Sequence, residues 1–286
     1  MIKSVAIIAN PKSENVKPML VSAVDYLKRR RVDILLEKRS AEVLDVSWCS
    51  PDDIIYEKAD MIIVLGGDGT VLSASRLAGE REIPIMGIHM GRLGFVTEIN
   101  PDELEDVLAA ALDQTLPIQR RMRLECEIID RDGQSVYKRH ALNEIALSKG
   151  AIARMIEFEV YVGAELVSYY RADGYLVSTP TGSTAYALSI GGPLVSPEMR
   201  LMILAPISAH SLNAREMIVP AESEVRIKLL GERQDIFVTY DGQIGRNMQP
   251  GESLLIRQTN FDTLLYHLPK RSFFDHLRNK FGWGQY

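Results

Sequence analysis

Along the first 116 residues, short unbroken apolar runs alternate with stretches of helical period. Val5 to Ala9 is a short apolar run ending at Asn10-Pro11, which predicts a buried strand and a turn. Val16, Met19, Leu20, Ala23, Val24 and Leu27 then recur at helical spacing. The helix they predict ends in Lys28-Arg29-Arg30-Arg31, where cations suit the negative end of the helix dipole. Val32 to Leu36, Met61 to Leu65 and Ile83 to Ile88 predict three more strands. Thr70 to Ala78 reads as a helix, as does Pro101 to Leu112, the second with Asn100 as N-cap and acids in its first turn. Fully apolar strands alternating with helices predict a parallel sheet covered on both faces.

After Leu116-Pro117 the texture changes. Leu124 to Ile129, Ser135 to Leu147, Ile156 to Val162, Leu166 to Tyr170 and Tyr175 to Ser178 are strand-like runs broken by turn residues, with a hairpin signal at Asp132-Gly133. Met202 to Leu204, Val225 to Leu230, Ile236 to Tyr240, Leu254 to Arg257 and Thr263 to His267 continue the pattern. This predicts an all-β region, a sandwich or a pair of packed sheets. Phe273, Phe274, Leu277 and Phe281 return to helical spacing. The chain thus reads as an α/β domain over 1–116, a β-rich domain over 117–268, and a C-terminal helix over 269–286 that packs back on the first domain.

Composition narrows the function. The 286 residues are 46 % hydrophobic and 25 % charged, an ordinary globular balance, with 33 Lys plus Arg against 38 Asp plus Glu for a formal charge of −5. A mildly acidic chain lacks the footprint of a nucleic-acid coat or a membrane-surface binder, but local cations can still hold phosphorylated small molecules. The two cysteines, Cys49 and Cys126, are far apart and form no C-x-x-C pair, so neither a zinc ribbon nor a disulfide framework is expected. No apolar run approaches the ~20 residues that span a bilayer. The N-terminal apolar run is too short for a signal peptide. The expectation is a cytoplasmic protein with reduced thiols.

Five motifs carry candidate chemistry. Gly66-Gly67-Asp68-Gly69-Thr70 follows an apolar strand and opens a helix. Glycines there let backbone approach a ligand, and the free N–H groups of a helix start favour phosphate. The motif lacks the third glycine of a dinucleotide fingerprint, and no Walker A loop occurs. An acid inside such a turn repels phosphate unless it takes a proton, holds a metal or simply caps the helix from Thr70. Gly87-Ile88-His89-Met90-Gly91-Arg92-Leu93-Gly94-Phe95 follows the next strand, and its glycines suggest a loop wrapped close to something or an ordinary connection. Asn143-Glu144 lies inside a predicted strand, where both side chains can face one ligand only at a bulge or strand end. The run from Arg171 to Pro193 contains a hydroxyl- and glycine-rich turn, with Ser183 or Thr184 placed to cap a short helix. Asp241-Gly242-Gln243 ends another strand and reads, taken alone, as a turn.

Together these residues resemble the ATP-dependent NAD kinase family, over most of the chain. Gly66 to Gly69 is similar to its GGDG, Gly87 to Phe95 to its G-x-N-x-G-x-x-G-F loop, Asn143-Glu144 to its NE pair, Thr179 to Tyr186 to its T-P-T-G-S-T-A-Y run and Asp241 to Gln243 to its D-G-Q. His89 departs from the family, which more often has Asn there. GGDG alone is shared with lipid and sugar kinases, whereas the T-P-T-G-S-T-A-Y run with the NE pair is specific. The resemblance implies a Rossmann-like N-terminal domain, a C-terminal β domain and a site between them. It implies transfer of the ATP γ-phosphoryl to the 2′-hydroxyl of the adenosine ribose of NAD, with a divalent cation, Mg²⁺ above all. Asp68 would be the general base, with Gly66, Gly67 and Gly69 in the phosphate loop. Asn143, Glu144, Asp173, Thr184, Ala185, Tyr186, Ser189 and Gln243 would line the NAD site, with Arg154 and Arg171 supplying positive charge. Arg171 would also go with preference for NAD over NADH. A homodimer or homotetramer joined through the β domain is implied. Two rival readings stand beside this one: a diacylglycerol-type lipid kinase with the same GGDG loop, and a non-catalytic dinucleotide sensor.

Overall fold

The computed structural model describes residues 2–150, 154–231 and 235–283. The chain forms two units, residues 1–120 with 262–286, and residues 121–261. The first begins β1 (Ser4–Ala9), α1 (Val16–Arg29), β2 (Asp33–Leu36), α2 (Lys38–Leu44), α3 (Asp52–Lys58), β3 (Met61–Gly66), α4 (Asp68–Ala78), β4 (Ile85–His89), α5 (Leu104–Leu112) and β5 (Ile118–Arg121). The second contains β6 (Leu124–Ile129), β7 (Ser135–Ala141), β8 (Glu144–Lys149), β9 (Ile156–Val162), β10 (Glu165–Ala172), β11 (Gly174–Ser178), α6 (Tyr186–Ser189), β12 (Leu201–Ile207), β13 (Met217–Pro220), β14 (Val225–Leu230), β15 (Ile236–Tyr240), β16 (Ile244–Asn247) and β17 (Ser253–Gln258). The chain then returns to the first unit with β18 (Thr263–Tyr266) and α7 (Phe273–Phe281).

The first unit is a six-stranded sheet in the order β2-β1-β3-β4-β18-β5, parallel from β2 through β18. Alternate residues of each strand enter different cores. Val5, Ile7 and Ala9 of β1 and Met61, Ile63 and Leu65 of β3 pack with Leu20, Ala23 and Leu27 of α1 and Leu104, Leu108 and Ala111 of α5. Ala6, Ile8, Ile62 and Val64 face the other way, onto Ile55 of α3 and Val71, Ala74 and Ala78 of α4. This two-sided burial is why the strands read as unbroken apolar runs.

The second unit is a sandwich of two six-stranded sheets, β10-β9-β14-β17-β6-β7 and β13-β12-β11-β8-β15-β16. Both contribute to one core, with Leu124, Phe158, Ile227 and Ile256 from the first and Leu147, Tyr175, Leu204 and Val238 from the second. The second sheet is covered on its outer face as well. There Ala146, Leu176 and Ala205 pack with Ala187 of α6.

Several elements differ from the sequence reading. Residues 263–267, read as part of the β-rich region, sit in the parallel sheet beside β4, and residues 117–120 also belong to the first unit. Period shows that a run is a strand; the sheet it joins is set by distant residues. Ser135 to Leu147 is two strands in different sheets, broken at Leu142-Asn143. The helix predicted from Thr70 begins at Asp68, and the one predicted from Pro101 opens with a 3₁₀ turn over Pro101–Glu103. Helices α2 and α3 are too short to show a period. Their start signals are local: the Glu37 carboxylate accepts the Arg39 N–H, and Asp52 and Asp53 occupy a first turn after Pro51. Among the described residues no helix is long and apolar enough to cross a membrane.

Neighbouring positions on β14 test the sandwich. Ile227 is buried in the core and Arg226 faces water. Ile227→Ala is expected to cost ~2–5 kcal/mol by cavity formation, and Arg226→Ala within ~0.5 kcal/mol of nothing, both read by denaturant unfolding.

Candidate functional site

In the first unit the GGDG turn lies at the carboxyl end of β3, inside a parallel sheet, where open α/β folds bind ligands. Gly67 is the N-cap of α4, and Asp68 is the first residue of the helix. The Asp68 carboxylate does not cap its own helix. It turns to the loop after β4 and accepts four hydrogen bonds. Oδ2 accepts the Phe95 N–H (2.8 Å). Oδ1 accepts the N–H groups of Val96 (3.2 Å) and Thr97 (3.1 Å) and the Thr97 hydroxyl (2.8 Å). With one donor on Oδ2, that oxygen keeps capacity for a further hydroxyl.

The glycines around this carboxylate divide by function. A Cβ on Gly94 would lie 1.8 Å from Asp68 Oδ1 and 2.1 Å from Thr97 Oγ1, so glycine is the residue that lets the loop close on the acid. A Cβ on Gly67 would meet no protein atom within 4 Å. Packing does not demand glycine there, and the open side suits close approach of a ligand. Gly66 is buried at the strand end and Gly69 is exposed on the first turn. His89 closes the loop through its ring, Nδ1 on the Gly91 carbonyl (3.0 Å) and Nε2 on the Asn100 side chain (2.8 Å).

In the second unit Asn143 stands at the break between β7 and β8, and Glu144 opens β8 opposite Ser178. The pair therefore occupies a strand end, the arrangement that frees both side chains. Asp241 fixes it: its carboxylate accepts the N–H of Asn143 (2.7 Å) and of Leu142 (3.2 Å). Asp241 and Gly242 both have positive φ, +53° and +61°, forming the tight turn from β15 to β16 that presents Gln243 to solvent. The sequence reading took Asp241 only as part of a turn; its carboxylate reaches residues about 100 positions away, a contact no local pattern encodes. The Asn143 carbonyl accepts the Thr179 N–H (2.8 Å) and the Ser178 hydroxyl (3.1 Å). Ser183 and Thr184 do not cap α6, whose N-cap is Ala185. Ser183 Oγ bonds the backbone of Val195, and Thr184 Oγ1 donates to the Thr181 carbonyl (3.2 Å).

Glu144 is the electrostatic anomaly of this unit. It is 5 % exposed, accepts the Tyr186 N–H, and leaves Oε2 buried with no partner among the described residues. Burial, and then the negative charge of Asp241, push its carboxyl up to about 8, against a smaller opposing pull from the Tyr186 N–H. A buried carboxyl with one oxygen unpartnered is suited to a ligand that brings hydroxyl groups, which both donate and accept.

Asn143, Glu144, Thr184, Ala185, Tyr186 and Gln243 gather around the Ser178 end of β11, with Ser189 exposed at the end of α6. Asp173 and Arg171 do not join them. They lie at the Gly174 end of that strand, four residue steps or ~13 Å away. There Asp173 faces Lys149 (3.7 Å) and exposed Arg171 faces Glu157 (3.9 Å). Arg154 is exposed two residues before Ile156, which pairs with Ala172. Among the described residues no group of three or more His, Cys, Asp or Glu side chains is placed to hold a metal ion.

Two outcomes test these descriptions. Glu144 has a higher pKa in the folded chain than its ordinary ~4.3, so the folded state holds the extra proton and stability is lost as pH rises from there through about 8. Glu144→Gln is expected to flatten this loss, with melting temperatures similar to wild type near pH 5 and higher than wild type at pH 8.5. Gly94→Ala is expected to break the loop off Asp68 and cost ~1–3 kcal/mol of stability, read by denaturant unfolding.

Residues 5–116 match the model of the ATP-NAD kinase N-terminal domain, and residues 142–268 that of the ATP-NAD kinase C-terminal domain. The chain is 39 % identical over 286 residues to an NAD kinase of Heliobacterium modesticaldum, covering 99 % of each. It is 37 % identical over 284 residues to an NAD kinase of Geobacter metallireducens, covering 99 % of this chain and 100 % of that one. Among solved structures it is similar to an NAD kinase from Archaeoglobus fulgidus in complex with ATP, with a TM-score of 0.77 and 28 % identity over 98 % of this chain and 97 % of the other. With both domains matched and relatives aligned nearly end to end, the chain belongs to the ATP-NAD kinase family.

Proposed function

We propose that this chain transfers the γ-phosphoryl group of ATP to the 2′-hydroxyl of the adenosine ribose of NAD, giving NADP and ADP. The observation that carries the reading is the Asp68 carboxylate, fixed by four donors at a glycine-rich helix start. A ribose hydroxyl is a poor nucleophile, and Asp68 Oδ2 accepts its proton as the oxygen attacks the γ-phosphorus. The bond from that phosphorus to the bridging oxygen breaks, and ADP leaves. The N–H groups of Gly67 and Gly69 at the start of α4 face the phosphates, where partial positive charge favours anions. Asn143 and Glu144 take the adenosine, the Glu144 carboxyl sharing a hydrogen bond with a ribose hydroxyl, which can both give and receive one. Thr184, Ala185, Tyr186, Ser189 and Gln243 line the same end, and Arg154, Arg171 and Asp173 contact the remainder of NAD. A divalent cation such as Mg²⁺, brought with ATP, would supply charge neutralisation at the phosphates. No residue of this chain is assigned to it.

The match of the C-terminal domain supports a dinucleotide acceptor over a lipid. Free Cys49 and Cys126 accord with a cytoplasmic setting. Exposed Leu166 and Tyr169 on β10 and Ile218 on β13, both edge strands, support assembly through the second unit into a homodimer or homotetramer. Light scattering is expected to give a multiple of 32.1 kDa. The resemblance at Arg171 implies a preference for NAD, expected as a higher kcat/KM for NAD than for NADH.

The decisive test is Asp68→Asn assayed with ATP, Mg²⁺ and NAD. A positioned base contributes ~10²–10⁴-fold, and the loose transition state of phosphoryl transfer favours the low end. The expected result is a kcat lowered at least ~10²-fold with NAD affinity within a few-fold. Asn also turns an N–H toward the Phe95 N–H, so one loop bond is lost with the base. Thr97→Val removes a loop bond and keeps the carboxylate. It is expected to hold kcat within ~5-fold, and equal losses in the two variants would make Asp68 a loop clamp only.

A further inference from the structure

The four donors that hold Asp68 sit on a loop, and a loop positions a carboxylate only if something holds it. In the first unit that support comes from the end of the chain. Glu98, next to Thr97, is 8 % exposed and receives donors from two segments far along the sequence. His267 Nδ1 (2.9 Å) and the Leu268 N–H (2.7 Å) donate to Oε1, and His276 Nε2 of α7 (3.3 Å) donates to Oε2. His276 is itself 4 % exposed. Arg271 closes the arrangement from outside, one guanidinium nitrogen on the Glu98 carbonyl and another on both Glu103 carboxylate oxygens (2.8 Å each).

The same helix face reaches the loop at a second place. Lys280 lies 4.4 Å from the centre of the Phe95 ring, and Phe281 packs on that ring at 6.3 Å. His276 and Lys280 are one helical turn apart and Phe281 follows Lys280; they meet Glu98, just after the last residue that donates to Asp68, and Phe95, the first. Burial pushes the Glu98 carboxyl up, but the bonds from His276 and Leu268 and the nearby imidazoles outweigh it and hold it below its ordinary range. The carboxylate is therefore an anion at working pH and binds both histidine segments as one.

We infer that Glu98, clamped between His267 and His276, is a positioning residue for phosphoryl transfer: it anchors the C-terminal helix to the 95–98 loop and so fixes the donors that aim Asp68. The inference rests on the reading of Asp68 as base. Glu98 touches no substrate in this scheme. Its effect passes through the loop, and a misplacement near 1 Å at the base is enough to slow chemistry ~10²-fold.

Four proteins test it: wild type, Glu98→Ala, Asp68→Asn and the double variant, each assayed for kcat and for KM of NAD and ATP. Glu98→Ala is expected to lower kcat at least ~10-fold with both KM values within about 3-fold. In the Asp68→Asn background the same substitution is expected to lower kcat by less than about 2-fold, because there is no base left to misplace. Equal losses in both backgrounds, or no kcat loss in Glu98→Ala, overturn the inference. A near-normal kcat in Asp68→Asn alone overturns the base reading and this inference with it, whereas an impaired Asp68→Asn with equal losses overturns this inference only. If Glu98→Ala does not fold, Glu98→Gln takes its place. It keeps an acceptor for His267 and Leu268 but turns an amide N–H toward His276, and the same background dependence is expected.

Discussion

Four hydrogen bonds onto one carboxylate organise the first unit's functional end. Asp68 sits at the start of α4, and its partners are three consecutive backbone N–H groups and a hydroxyl from the loop after β4. Adjacent parallel strands end side by side, so the loops leaving β3 and β4 are neighbours by topology. The carboxylate turns that neighbourhood into a fixed geometry. Charge-assisted bonds of this kind are stronger than neutral ones. The tight fit at Gly94 then follows, because a Cβ there would occupy the space of the carboxylate itself.

The second unit uses acids in the opposite way. Asp241 is spent on structure, holding the Leu142 and Asn143 amides at the strand break. Glu144, close enough to feel that charge, is buried with one oxygen unanswered. One carboxylate in the first unit is held by four donors and is therefore still. One in the second is buried with an oxygen that has no partner among the described residues.

Much of this was legible in the residues. Unbroken apolar runs marked the strands of the parallel sheet, short strand-like runs broken by turn residues marked those of the sandwich, and the motifs placed the glycine turn and the Asn-Glu pair. Other features depend on contacts between residues far apart in sequence. Nothing around Thr263 to His267 tells that the run pairs with Ile85, since any strand of that composition fits either unit. Nothing local tells that Asp68 faces residues 95–97 and not its own helix, nor that Asp241 reaches Asn143. Ser183 and Thr184 looked like caps because hydroxyls before a short helix usually are, yet both hydroxyls bond other backbone groups.

The return of the chain to its first unit has a consequence for biogenesis. β18 lies between β4 and β5 in the sheet, and α7 is among the last described elements of the chain. While the ribosome is still making the sandwich, the nascent α/β unit has a gap in its sheet, and β4 shows an unpaired edge open to other chains. The sandwich, by contrast, is continuous in sequence and can close on its own. The domain written first is thus completed last, and a chain cut short near its end loses the support of the loop that holds Asp68 while keeping an intact sandwich. Truncated products of this gene would be recognisable to quality control by an open parallel sheet, not by a damaged β domain.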